Sequence, residues 1–195
     1  GRLITGDFDN DGDSDILSVS IVVDDNGADG DTTFAANEVG TVKIGATFDD
    51  FTDGSEVHTV TIKAADGFEF TGSVSGLVPG VTVQSSSAGE IVLLVDSSAP
   101  GGLAGFSDVS LDVKNVSAPS GTTVSFRATA KAVETNLSGE ECTTGNNEQS
   151  VSATDHATTF TNLIPVAYDD KKCGDEAGPK NANLLLVFDN SGSMA

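Results

Sequence analysis

Thr122-Thr123-Val124-Ser125-Phe126-Arg127-Ala128-Thr129-Ala130-Lys131-Ala132-Val133 alternates apolar and polar side chains without a break. Val124, Phe126, Ala128, Ala130 and Ala132 share one side, and Ser125, Arg127, Thr129 and Lys131 share the other. A period of two belongs to a β-strand, so the first set faces a core and the second faces water. The same reading turns Val42, Ile44, Ala46 and Phe48 inward on an earlier strand, followed by Val60, Ile62 and Ala64 on the next. Val109, Leu111 and Val113 repeat it, and the unbroken apolar run Ile91 to Val95 fits a strand with neighbours on both sides. Phe68, Phe70 and Phe106 are the expected filling of the middle. Turn residues punctuate the chain about every eight to twelve positions, and no stretch sustains a 3.6-residue period. The expected fold is all-β, an Ig-like antiparallel β-sandwich almost without helix.

Composition bounds the function. In 195 residues, 37% hydrophobic content is enough for a real core, while 30 acidic residues against 9 basic ones give a formal charge of -21. Such a charge repels nucleic acid and anionic membrane surfaces, so neither is an expected partner. No apolar run is long enough for a membrane-spanning helix, and residues 1–20 lack the layout of a signal peptide. Gly1 and Ala195 both fall close to motifs, which reads as a segment of a larger protein. The acidic residues cluster at turns with Gly and Asn. That pattern suits divalent cations, most simply Ca2+, whose hard charge takes several oxygen ligands; the alternative is a plain soluble acidic surface. Tryptophan is absent and Tyr168 is the single tyrosine, as in extracellular β-rich proteins. Cys142 and Cys173 either pair, closing a loop whose constraint contributes about 3 kcal/mol, or remain two thiols.

The strongest metal signal is Asp7-Phe8-Asp9-Asn10-Asp11-Gly12-Asp13-Ser14-Asp15. Carboxylates at alternate positions and a glycine for the sharp turn can wrap a loop around one ion. Asp7, Asp9, Asp11 and Asp15 are the expected side-chain ligands and Asp13 a carbonyl ligand; the bland alternative is a solvated acidic turn. The run resembles the calcium loops of EF-hand-like and FG-GAP/VCBS repeats. It departs from an EF-hand, because Ser18 stands at the twelfth loop position and no flanking helix is readable. A second cluster, Asp24-Asp25-Asn26-Gly27-Ala28-Asp29-Gly30-Asp31, is less regular, and metal site and turn stay equally open for Asp24, Asp25, Asp29 and Asp31. Asp49, Asp50, Asp53 and Asp66, each taken alone, read as solvated turn residues.

From Ala28 to about Phe70 the sequence resembles a repeat of very large RTX adhesins exported by type I secretion. Thr161-Asn162-Leu163-Ile164-Pro165-Val166-Ala167-Tyr168-Asp169-Asp170 resembles the N-x-x-P-V-A-x-D-D junction between Ig-like or cadherin-like repeats of giant bacterial surface adhesins. Its proline stiffens the joint, and Asp169 and Asp170 can share a cation with a neighbouring domain. Further on, the apolar run Leu184 to Phe188 meets Asp189-Asn190-Ser191-Gly192-Ser193. This resembles the first segment of the MIDAS of von Willebrand factor A domains. The resemblance implies Mg2+ or Ca2+ at Asp189, Ser191 and Ser193; the family's later threonine and aspartate ligands have no counterpart, and a strand ending in a polar turn is the alternative.

The expected organisation is an acidic loop over 1–15, a sandwich over 16–162, a junction over 163–182, and the truncated first strand of an α/β von Willebrand A-like domain over 183–195. The resemblance implies a calcium-stabilised extender segment of an adhesin on the bacterial cell surface, promoting attachment and biofilm formation. Its partners would be neighbouring domains of the same adhesin and a protein or glycan ligand on a host, cell or surface, bound by a module beyond Ala195. A carbohydrate-binding accessory sandwich of a secreted protein is the runner-up, weakened by the missing tryptophan. No catalytic role is expected: His58 and His156 are the two histidines, neither has a second ligand at metal spacing, and no G-x-S-x-G or H-E-x-x-H is present.

Overall fold

The computed structural model describes residues 1–6, 15–26, 32–49, 56–96, 104–134 and 148–160. Within them the alternating segments become eleven strands and no helix: β1 Arg2–Gly6, β2 Asp15–Asp24, β3 Thr33–Ala35, β4 Val39–Asp49, β5 Glu56–Lys63 and β6 Phe68–Ser75, then β7 Val81–Ser86, β8 Glu90–Val95, β9 Gly105–Asn115, β10 Thr123–Glu134 and β11 Glu148–Phe160. They form two sheets. One has the order β1-β2-β4-β9-β6 and the other β3-β11-β10-β5-β8-β7. The sandwich expected from the sequence is present. Every pairing is antiparallel except the short parallel contact between β3 and the end of β11. β1 lies within the stretch that the sequence reads as a loop: Arg2–Gly6 pairs with β2 inside the first sheet.

The inward faces are those read from the alternation. Phe126, Ala128, Ala130 and Ala132 are buried, as are Val42, Ile44, Ala46 and Phe48 opposite them, together with Val109, Leu111 and Val113. Ala64 is half-buried, because β5 ends at Lys63; beyond that point the strand period lapses and Ala65 turns in instead. Phe68 lies 5.1 Å edge-to-face from both Phe34 and Phe126, so three rings from both sheets form one stack of T-shaped contacts. Ile91 to Val95 is bonded on both sides, by β5 and by β7, as its apolar run required.

Two ends of the sandwich matter for the sites. At the Asp15 end, Leu17 pairs with Phe48, and on the other sheet His58 pairs with Ala132 and Val95. At the Asp24 end, Asp24 pairs with Thr41, while β11 finishes beside β3. Asn115 locks this second end. It is buried, its amide donates to the Ala35 carbonyl at 3.1 Å, and its side-chain oxygen accepts from the Ala118 N–H at 3.1 Å. The tie holds the turn after β3 and the chain leaving β9 against each other, and Gly67 lies beneath it. Gly67 has φ of 81°, and an added Cβ would come within 2.4 Å of the Ala118 nitrogen. Replacing Asn115 by alanine leaves a buried carbonyl and a part-buried N–H without this partner and is expected to lower stability by about 2 kcal/mol. Urea denaturation measures it; a change within error of zero removes the tie from the account.

Candidate functional site

Gly6 and Asp15 pair directly across the β1–β2 ladder. The segment between them therefore leaves and rejoins the sheet at one point, flanked by strands, where an EF-hand has helices. Asp7, Asp9, Asp11 and Asp13 lie outside the described residues, and of Asp15 only its place at the head of β2 is described. The topology brings further acidic positions to this same end. Asp49 closes β4 opposite Ile16, Glu56 pairs with Glu134, Glu148 with Val133, and Asp96 follows β8. These positions come from distant parts of the sequence, and only the strand order assembles them.

The second acidic cluster lies at the opposite end. The Asp24 carboxylate accepts the Asn26 N–H at 2.7 Å, which stabilises a turn in which Asn26 takes a left-handed φ of 66°. Asn26 in turn accepts from the Thr41 hydroxyl at 3.1 Å. Gly40 makes this close approach feasible: a Cβ there would sit 2.3 Å from the Asp24 carbonyl. Asp25 is buried. Asp24 thus terminates a strand through its carboxylate, while Asp29 and Asp31 lie outside the described residues. Among the described residues no group of three or more His, Cys, Asp or Glu side chains converges as a metal site. Phe160 ends β11 at this end; Asp169, Asp170, Asp189, Ser191 and Ser193, and Cys142 and Cys173, are outside the described residues.

The sandwich is similar to bacterial pilins of known structure. The major pilin GBS80 of Streptococcus agalactiae, as a 35 kDa C-terminal fragment, superposes with a TM-score of 0.51 at 12% identity, over 74% of this chain and 56% of that one. BcpA, the major pilin subunit of Bacillus cereus, superposes with a TM-score of 0.52 at 9% identity, over 83% of this chain and 48% of that one. The chain thus spans about half the length of these pilins, and identities so low carry the fold alone. No protein-family model matches the sequence, and no curated protein matches it either.

Two residues gain roles that sequence reading did not assign. Asp155 of β11 reaches across the flank between the sheets and accepts the Val23 N–H at 2.8 Å. That donor lies beyond the part of β2 that β1 covers, since β1 pairs only as far as Val19. The carboxylate replaces a missing strand. The signal was an acid in phase with the buried Val151, Ala153 and Ala157. His58 shares the inward face of Val60 and Ile62: it is fully buried and stacked on Phe48 at 4.5 Å with the rings 8° from parallel. Burial disfavours the charged ring and lowers its pKa from 6.5 to about 4. The ring is a neutral core aromatic at pH 7. His156, by contrast, is exposed, with Nδ1 2.8 Å from the Ser125 hydroxyl on the neighbouring strand.

Proposed function

We propose that this chain is a structural segment of a large RTX-type adhesin on the bacterial surface, with calcium held at the ends of the sandwich. The observation that supports the reading is where the acidic residues fall. The core is closed by aliphatic and aromatic side chains from both sheets, while the Asp15 end and the Asp24 end carry the strand termini on which the acidic clusters sit. A chain of net charge -21 gains from cations at those ends, because each bound ion neutralises carboxylates that otherwise repel one another. Asp7, Asp9, Asp11, Asp13 and Asp15 would hold one ion on the β1–β2 hairpin. Asp29 and Asp31, with Asp169 and Asp170, would order the junction to the next module. Asp189, Ser191 and Ser193 would form the first segment of a MIDAS, whose cation would bind an acidic group on a host or surface ligand.

Among the described residues, the exposed large hydrophobic side chains are all aliphatic: Leu3, Val22, Val39, Val57, Leu77, Val83 and Val116. Sugar rings stack on aromatic faces, so these surfaces favour the adhesin segment over a carbohydrate-binding module. The test is calcium removal. Stabilisation by a ligand present at a hundred times its Kd is about 2.7 kcal/mol, which is on the order of 5–10 °C in Tm for a domain of this size. The expected result is a Tm rise of that order between excess chelator and millimolar Ca2+, with a smaller hydrodynamic radius in Ca2+. An unchanged Tm and radius would end the calcium reading.

A further inference from the structure

Strand edges display unpaired backbone groups, and a soluble β protein has to blunt them. Most edges here are blunted. β1 is five residues long and β3 three. The β6 ladder breaks in a bulge between Phe70 and Val74, and the β7 ladder breaks between Val83 and Ser85. β11 differs. It runs for 13 residues, and its register with β10 is continuous from Thr123↔Thr158 to Val133↔Glu148. On its other side β3 pairs only with Thr158, Thr159 and Phe160.

Backbone direction alternates along a strand, and two hydrogen bonds fix its phase. The Thr159 N–H donates toward β10, to the Thr122 carbonyl at 3.0 Å, and the Thr158 N–H donates the other way, to the Thr32 carbonyl at 2.9 Å. His156, Thr154, Ser152 and Ser150 share the phase of Thr158. Their N–H and C=O groups point away from β10, and among the described residues no strand pairs with them. Their side chains stand on the outer face with Arg127, whose guanidinium leans over β11 and donates to the Ser152 hydroxyl at 3.0 Å. Among the described residues no carboxylate pairs with Arg127, and the acid on this face with an ion pair, Glu90, is engaged by Lys63 at 3.6 Å.

We infer that the edge of β11 at Ser150, Ser152, Thr154 and His156, which no strand among the described residues pairs, is a docking site for an extended acidic segment of another polypeptide, which adds as a further strand. Main-chain bonds to the four open residues hold the segment. Acidic side chains on its outer face meet Arg127, which is already extended across β11 toward the edge. The segment is acidic because a neutral or basic strand would leave the guanidinium without an opposite charge.

The full chain, labelled with 15N, is titrated with a blocked nonapeptide of alternating threonine and glutamate and with its threonine–lysine counterpart. The glutamate peptide is expected to give saturable shifts at the Ser150, Ser152, Thr154 and His156 amides and to slow their hydrogen exchange, while the lysine peptide binds at least tenfold more weakly. Thr154→Pro removes an edge donor without touching the β10 ladder and should abolish binding. Arg127→Glu, which leaves the backbone intact, should weaken it at least tenfold. Shifts confined to other residues, equal affinity for the lysine peptide, or full affinity in Arg127→Glu would overturn the assignment. Concentration-dependent shifts at the same amides without peptide would also overturn it, by giving the edge to a second copy of this chain.

Discussion

Phe126→Ala is expected to lower the unfolding free energy by about 4 kcal/mol, in the range found for truncating a fully buried phenylalanine. Phe126 has no solvent exposure, and its ring meets Phe68 edge-to-face at 5.1 Å, with Phe34 on the far side of Phe68. Alanine removes the apolar surface and one partner of that stack, and strands held by continuous ladders on both sides cannot close over the space left. Domains are stable by only about 5–15 kcal/mol in total, so a loss of this size takes a large part of it. The urea midpoint should fall with the slope unchanged. Phe126→Leu, which keeps most of the volume, should recover more than half of the loss. A midpoint shift in Phe126→Ala equivalent to under about 1.5 kcal/mol, the size of a conservative core swap, would show that the core is not closed around this ring.

Acid should destabilise the sandwich through His58. Its folded pKa of about 4 lies below the ordinary 6.5, so the unfolded chain takes up the proton first as pH falls. The contribution of neutral His58 is complete above pH 6.5 and is lost progressively between 6.5 and about 4, and a shift of this size corresponds to at most about 3 kcal/mol. Protonation of the many carboxylates relieves repulsion over the lower part of that range and opposes the effect, so the informative quantity is a difference. His58→Leu fills a similar volume against Phe48 without a titrating group. Between pH 7 and pH 4.5 the wild type should lose stability relative to His58→Leu, measured as the difference between their urea midpoints. Parallel pH profiles for the two proteins would remove His58 as the cause.

Much of the frame was legible because strand period and burial are local properties. The alternation from Val124 to Ala132 and from Val42 to Phe48 named core residues directly, and the apolar run Ile91 to Val95 marked a strand bonded on both sides. β1 escaped notice, since its five residues sit beside a conspicuous acidic run and show little burial. The role of Asp155 was visible only as an oddity of phase. Its meaning needed Val23, 132 positions earlier in the chain. The acidic clusters were legible as clusters, but their division between two opposite ends of one sandwich was not.

The sequence by itself determined that this protein is a sandwich of strands with an aliphatic and aromatic interior and an acidic periphery, because the side-chain period and the charge are properties of neighbouring residues. The tertiary structure alone decided which strands are edges, which acidic termini meet at one end, and that among the described residues β3 pairs with only the end of the long β11, beside Arg127. Those features depend on strand order and register, which are set by pairings between residues far apart in the chain, and no local pattern encodes them.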